Sequence, residues 1–233
     1  NSTACPPHTY TTHIYSHSPL IIYIPSFLTA SEQSYLSSLS TPFSSSRIAD
    51  STGQQHLAST RSSSSTSLPP TDSIASCIAA RALSFQGLDT SPQRLEPLQL
   101  VRYGEGGKYH AHTDWFTAGQ QAESDMGGNR WSSFFAYVGV SGDVAGGGTG
   151  FPMVEGRRGE EWCAWVDCDA PVEEGVVFRP IPGNAVFWVN MKKGKNGYVG
   201  DQRTLHAGLP VQRGSKLGMN IWTREWDMDD KYR

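Results

Sequence analysis

The chain lacks any uninterrupted apolar stretch near the roughly 20 residues that a membrane-crossing helix needs, so no span is expected among its 233 residues. Charge is also sparse: Asp, Glu, Lys and Arg make up 18% of the chain, and the net charge is −3. Without a basic excess there is no field to draw the chain onto nucleic acid or anionic lipid, and neither is expected as a partner. Cysteine is scarce too, limited to Cys5, Cys77, Cys163 and Cys168. A zinc ribbon would need two close pairs, and Cys5 and Cys77 are not one. Four cysteines allow three pairings that sequence alone does not separate. The stretch "WCAWVDC" nevertheless favours a Cys163–Cys168 disulfide, because a short hairpin there would bring the two within bonding range.

What is plentiful is 24 Gly, 14 Pro and 7 Trp, a mixture that suits a turn-rich β protein better than a helical bundle. The length is ordinary for a single β-sandwich or barrel with a substantial core. The sequence opens on Asn1-Ser2-Thr3, an N-glycosylation sequon. Together with the even cysteine count, this makes the secretory pathway the expected location.

Residues 1–18 hold His8, His13 and His17. Spacings of five and four could gather them around a metal on a helix, but the intervening Thr, Tyr and Ile favour an extended arm. "PLIIYIPSFLT" reads as a strand running into a helix, with Thr29 and Glu32 forming a capping box. The Ser- and Thr-rich residues 44–67 read as an exposed loop with strand-like edges. A second helix follows "LPPTD". Its apolar face carries Ile74, Cys77, Ile78, Ala82 and Phe85, which turns Cys77 toward the core. From Leu98 the pattern changes to short β segments cut by Gly and Pro: "LQLVRY", "WSSFFAYVGV", "GVVFRPI", "NAVFWVN" and "LGMNIWTRE". Helices first and strands afterwards predict helices buttressing an antiparallel core.

The chemistry concentrates in "VRYGEGGKYHAHTDWF", residues 101–116. On a strand, His110, His112 and Asp114 would share one face. Positions four apart are separated by about 13 Å and adjacent same-face positions by about 6.6 Å. One ion can therefore take His110 with His112, or His112 with Asp114, but not all three. A third ligand must come from elsewhere, and His206 in "TLHAGLPV" stands in a β-like region. Two histidines and a carboxylate form the facial triad that holds ferrous iron in non-haem oxygenases. Nucleotide binding is not expected, since "GEGGKY" lacks the gap and hydroxyl residue of a P-loop.

Further landmarks accompany the triad. Tyr103, Gly106, Tyr109, His112 and Asp114 fit Tyr-x-x-Gly-x-x-Tyr-x-x-His-x-Asp. Arg130 precedes a strand, and a Gly-Gly-x-Thr-x-Phe-Pro turn contains Thr149. "IPGNAVFW" and "LHAGLPV" then lead to Lys216, Asn220 and Trp222. In this order, over about Leu20 to Glu225, the chain resembles the prolyl 4-hydroxylase family of Fe(II)/2-oxoglutarate-dependent dioxygenases.

The resemblance implies a mainly β fold, a double-stranded β-helix (jelly-roll) core with N-terminal helices packed on its outer face. Residues 1–233 would be one domain, with the arm, helices and supporting strands in 1–97 and the core in 98–226. It makes His112, Asp114 and His206 the metal ligands and leaves His110 as a neighbour of the cleft. Lys216, Thr149 and Tyr103 would hold the distal carboxylate of 2-oxoglutarate, and Tyr109, Arg130 and Trp222 the substrate. The implied reaction uses Fe(II), 2-oxoglutarate and O2, with ascorbate as reductant. It would hydroxylate an unactivated C–H bond, foremost at C4 of proline in a peptide or protein, and release succinate and CO2. The alternatives are the same chemistry on a free amino acid or small metabolite, or a jelly-roll binding module without turnover. Three departures stand out: Arg224 where peptide-hydroxylating relatives carry His, "GGGTG" in place of an acidic residue before Thr149, and Leu209 where relatives often carry Cys. The basic, Gly-rich residues 190–201 would form either a lid or a mobile surface loop.

Overall fold

In the computed structural model, which describes residues 5–46, 48–49, 55–56, 62–87, 91–156 and 159–232, most strands form two antiparallel sheets, and three two-stranded pairs accompany them. The larger runs in the order His13–His17, Leu20–Ile24, Ala185–Val189, Arg130–Val140, Lys216–Arg224, Gln99–Tyr103, Ser64–Ser67, Ser44–Ser45. The smaller runs Val176–Phe178, Thr149–Phe151, His206–Gly208, Tyr109–His112. This is the expected jelly-roll, with strands from the N-terminal part of the chain joining the larger sheet.

The two-residue period of a strand explains how the apolar runs divide. In Arg130–Val140, Phe134, Ala136 and Val138 point outward into one core cluster, while Phe135 and Tyr137 point inward into another. Ala185–Val189 repeats the division, with Ala185 and Phe187 outward and Val186 and Trp188 inward. Both faces of these strands are covered, so their sequences read as continuous hydrophobic runs. The inner cluster fills the space between the sheets. The outer one is covered by two helices.

Helix α1 (Ala30–Ser38) starts at the expected capping box: Glu32 N–H donates to Thr29 Oγ1 at 3.1 Å and Thr29 N–H to Glu32 Oε2 at 2.8 Å. The same Glu32 receives both ends of the Arg81 guanidinium at 2.7 and 2.8 Å, which ties α1 to α2 (Ser73–Phe85). Asp72 caps α2 through Ala75 N–H at 2.8 Å. Ala75, Ile78, Ala82 and Leu83 are its buried face. Cys77 stands beside that face rather than within it, half-buried and bonded to Cys5. Cys163 and Cys168 are bonded as expected, although a run of turns joins them instead of a hairpin.

The N-terminal arm is extended. His8 Nε2 lies 2.6 Å from the Ser26 carbonyl, and the His13 ring packs on Trp165 at 4.4 Å. Ser44–Ser45 and Ser64–Ser67 pair as the strand-like edges of the serine-rich loop. Much of that loop's interior, and the Asn1 sequon, lie outside the described residues. Among the described residues no helix is long and apolar enough to cross a membrane.

The Cys5–Cys77 bond closes a loop across a sequence separation of 72, and cross-linking a loop of that size removes much unfolded-chain entropy. Replacing both residues by serine is expected to lower unfolding free energy by about 2–4 kcal/mol. Urea denaturation of the two proteins, compared at equal m-value, measures this.

Candidate metal centre and its pocket

His112 ends its strand and pairs directly with His206, the first residue of the neighbouring strand, with ring centroids 4.4 Å apart. Asp114 does not sit on the strand, as simple alternation from His112 predicts. The strand stops at His112, and a bend brings the carboxylate around. Asp114 Oδ1 lies 3.7 Å from His112 Nε2, and Oδ2 lies 3.8 Å from His206 Nε2. One donor atom from each residue falls within 4.8 Å of the others. On a first-row ion with bonds of roughly 2.0–2.2 Å, adjacent donors stand about 3 Å apart. The side chains need only close inward slightly, and two imidazoles with one carboxylate on a single face fit a divalent first-row metal with positions left open.

Each ligand is oriented by a second contact. His112 Nδ1 bonds the His110 carbonyl at 2.8 Å, and His206 Nδ1 bonds the Thr204 carbonyl at 3.0 Å. A carbonyl accepts only from N–H, so both rings carry the proton on Nδ1 and turn the Nε2 lone pair toward Asp114. His110 itself is exposed, and its contribution is that backbone oxygen. Asp114 Oδ2 accepts from Ser133 Oγ at 2.6 Å, and Ser133 Oγ accepts from Asn190 Nδ2 at 2.9 Å, with Ser133 and Asn190 fully buried. Burial opposes ionisation of Asp114, but the attraction of the His206 and His112 rings when they are protonated, with Arg130 and the Ser133 hydroxyl, outweighs it and holds the carboxyl below its usual range.

Tyr103, Thr149 and the metal-facing side chains line one pocket between the sheets. Lys216, paired in register with Tyr103, is 1% exposed. Its Nζ donates to the Gly147 carbonyl at 2.5 Å and lies 4.6 Å from the Tyr103 ring centroid. No carboxylate pairs with it among the described residues, and burial pushes its pKa down to about 7. Tyr137 OH donates to Thr149 Oγ1 at 2.8 Å, which leaves the threonine proton to donate elsewhere. A dry ammonium without a counter-ion, beside a hydroxyl donor, is a fit for an incoming carboxylate.

At the mouth, Tyr109 stacks on His112 at 3.6 Å, and Trp222 lines the pocket. Arg130 lies over the Trp222 ring at 3.7 Å and is gripped at both ends by Glu96, at 2.7 and 2.8 Å. Arg224 Nε also reaches Glu96 at 2.7 Å, close enough for strong charge attraction though not aligned as a hydrogen bond. Its Nη1 donates to the Gly128 carbonyl at 2.7 Å. The unexpected arginine thus completes an ion cluster with Arg130 through Glu96, a residue that sequence reasoning had not singled out. A roomier groove between α2 and residues 92–98 is lined by Leu, Pro and Ala side chains with Glu96, and holds none of the metal-facing residues.

The family model described as the 2OG-Fe(II) oxygenase superfamily matches residues 98–224. The chain belongs to that superfamily. It is 33% identical over 152 residues to the Homo sapiens transmembrane prolyl 4-hydroxylase, a match covering 54% of this chain and 29% of that protein. It is 30% identical over 213 residues to the Mus musculus prolyl 4-hydroxylase subunit alpha-3, covering 91% of this chain and 35% of that protein. This superfamily member therefore spans about a third or less of the curated relatives' length. Among solved structures, the viral collagen prolyl hydroxylase of Paramecium Bursaria Chlorella virus-1 superposes with TM-score 0.59 at 21% identity, covering 88% of this chain and 95% of that one. A Pseudomonas putida prolyl-4-hydroxylase gives TM-score 0.53 at 17% identity, covering 88% and 91%. These likenesses establish the shared fold.

If Ser133 holds Asp114 in its ligating orientation, Ser133→Ala should weaken divalent metal binding by about tenfold, the lower end for loss of an outer-shell partner. Ser133→Thr, which keeps the hydroxyl, should largely retain it. Titration with Mn(II) followed by electron paramagnetic resonance reads this directly, with circular dichroism as the check on folding.

Proposed function

We propose that the chain is an Fe(II)- and 2-oxoglutarate-dependent dioxygenase that hydroxylates proline, foremost at C4, in peptides or proteins. The observation that carries this reading is the pairing of two sites in one pocket. A three-ligand face of His112, Asp114 and His206 shares its pocket with Tyr103 and Phe135, behind which lies Lys216, a buried ammonium that no carboxylate neutralises among the described residues. When bound, Fe(II) with 2-oxoglutarate and O2 supplies oxidative decarboxylation to succinate and CO2, and with it the capacity to hydroxylate an unactivated C–H bond. Ascorbate is the proposed reductant.

His112, Asp114 and His206 hold the metal in this reading, with Asp114 supplying the negative charge that two neutral imidazoles lack. Lys216, Thr149 and Tyr103 fix the distal carboxylate of 2-oxoglutarate. Lys216 provides the charge, and the two hydroxyls give direction. Phe135, whose ring centre lies 5.2 Å from Lys216 Nζ, helps keep water from that charge. At the mouth, Tyr109 and Trp222 supply flat apolar walls for a proline ring, and Arg130 stands over Trp222 as the polar partner of the peptide backbone.

The proposed unit is one domain, with its core in residues 98–226. Two disulfides support passage through an oxidising, secretory compartment. A second reading keeps the chemistry and changes the substrate to a free amino acid or small metabolite. It is favoured by the Glu96 grip, which occupies Nε and Nη2 of Arg130. Succinate release above the substrate-free background, measured over proline-rich peptides and free amino acids, separates the two.

The cofactor chemistry is tested by anaerobic titration with Fe(II) and then 2-oxoglutarate, following the visible charge-transfer band of the chelate. The band should form in the wild type and vanish in His206→Ala, and Lys216→Ala should need at least about tenfold more 2-oxoglutarate, the loss of one charge-assisted hydrogen bond. A folded wild-type protein that gives no band would move the binding-module reading to the front.

The burial of Lys216 adds a pH signature. Its pKa stands at about 7 in the folded protein, so above pH 7 binding a carboxylate must take up a proton. The dissociation constant for 2-oxoglutarate should then rise by up to about tenfold per pH unit until the pKa of the bound state is reached. The unfolded lysine keeps its proton to about pH 10.4. The unfolded chain thus binds more protons between pH 7 and 10, and in the ligand-free protein this residue's contribution to stability increases across that window. Isothermal titration in buffers of different ionisation enthalpy measures the proton uptake.

A further inference from the structure

Three of the six lysines of the chain, Lys192, Lys193 and Lys195, fall within four positions. The segment that carries them has regular structure. Met191–Gly194 and Gly197–Gly200 form a β-hairpin, with Lys192 opposite Val199 and Lys193 opposite Tyr198. The hairpin continues the Ala185–Val189 strand at the end where Val189 meets Ser132 and where Arg130 begins its strand. His112 and His206 pair directly and line the pocket, and His206 opens its strand six residues after the hairpin ends.

The base of the hairpin is fixed to the metal centre. Trp115, which follows Asp114, covers Gly200 so closely that a Cβ there would lie 2.2 Å from the indole. The indole Nε1 of Trp115 donates to the Asp201 carbonyl at 3.3 Å, and Asp201 N–H donates to the Asn190 carbonyl at 2.8 Å. Beyond this base, Tyr198 stacks edge-on against Trp131 at 4.7 Å while staying 57% exposed.

Residues 190–204 carry four cations and one carboxylate in a chain of net charge −3. That carboxylate, Asp201, is buried and already held by Arg203 at 2.6 Å and Lys192 at 3.6 Å. The positive charge of Lys193 and Lys195 is therefore uncompensated within this segment. On the other side of the Arg130–Val140 strand, the Lys216–Arg224 strand leads into Glu225, Asp227, Asp229 and Asp230. That flank is partly compensated, since Arg94 lies 3.7 Å from Asp227 and Lys231 lies 3.6 Å from Asp229.

We infer that the Met191–Gly200 hairpin is a docking strip for an acidic stretch of the polypeptide substrate, lying to one side of the residue that enters the pocket. The inference rests on the proposed peptide hydroxylation and adds a sequence preference to it. The exposed tyrosine offers an apolar floor to the peptide, and the lysines select Asp or Glu above it.

The test uses three fluorescein-labelled proline peptides, with four Glu before the proline, four Glu after it, or Gln at all those positions. Binding is read by fluorescence anisotropy. One of the two Glu peptides should bind about tenfold tighter than the Gln peptide, the sum of a few exposed ion pairs. The gain should disappear in the K193E/K195E protein. It should also shrink in the unaltered protein at 1 M salt, where screening shortens to about 3 Å. Equal affinities for all three peptides, no binding at all, or a gain that survives both charge reversal and salt would overturn the docking strip. Succinate release in the same samples tests the hydroxylase reading separately. Charge-selective binding without succinate release sinks hydroxylation and leaves the strip, whereas succinate release without charge selectivity sinks the strip alone.

Discussion

Holding charge in a dry space is the constraint on which the rest of this structure depends. The gap between the two sheets is filled by Tyr15, Tyr23, Phe151, Phe178 and Trp188, all nearly inaccessible, yet it also contains Asp114, His206 and Lys216. An unpaired charge in such a setting costs several kcal/mol. The fold answers this differently at the two ends of the pocket. Around Asp114, the Ser133 hydroxyl, itself held by Asn190, donates to the carboxylate, and two imidazoles flank it. Around Lys216 the one hydrogen-bond partner among the described residues is the Gly147 carbonyl, and the pKa falls toward neutrality instead. One end is made ready for a cation and the other for an anion.

The sheets achieve this through register. Along Lys216–Arg224 the inward positions are Lys216, Gly218, Asn220, Trp222 and Arg224, and the outward ones include Met219 and Ile221 in the helix-facing core. The same strand therefore delivers the deep cation, the pocket wall and the ion cluster at the mouth, in that order. Gly218 is part of the device, because a Cβ there would lie 2.3 Å from the Phe135 ring that screens Lys216. A slip of one residue would turn all these groups into the apolar layer beneath the helices, so the outer core that fixes register also fixes the site.

That division explains what the sequence made legible. The strands were readable because they are covered on both faces and so appear as apolar runs between Gly and Pro. Residue chemistry and spacing left His110 with His112 as open as His112 with Asp114, and it was the resemblance to the prolyl 4-hydroxylase family that pointed to His112, Asp114 and His206. The bend that carries Asp114 was not readable, since nothing in His-Thr-Asp marks the end of a strand. Ser133, Asn190, Glu96 and Tyr137 escaped notice for one shared reason: each acts through a partner 12 to 57 residues away, and a lone Ser, Asn, Glu or Tyr carries no local pattern. Cys77 was placed by helical periodicity alone, which cannot register a bond to a residue 72 positions earlier.

The Glu96 cluster shows how structural and substrate-facing demands share the mouth. An arginine over Trp222 would be a mobile donor if it stood free. Glu96 holds two of its nitrogens, Arg224 supplies a second positive charge against the same carboxylate, and the Gly128 carbonyl anchors Arg224 in turn. Such a network positions the guanidinium at the expense of its donors, and only Nη1 of Arg130 stays outside the Glu96 grip. Backbone recognition by Arg130 in the proposed reaction is thereby limited to that nitrogen. Finer discrimination among substrates must come from groups without such commitments: the buried indole Nε1 of Trp222, which has no hydrogen-bond partner among the described residues, and the charged hairpin beyond it. In the proposed reaction the ion-paired inner mouth would orient the reacting residue, and the charged outer rim would choose the polypeptide.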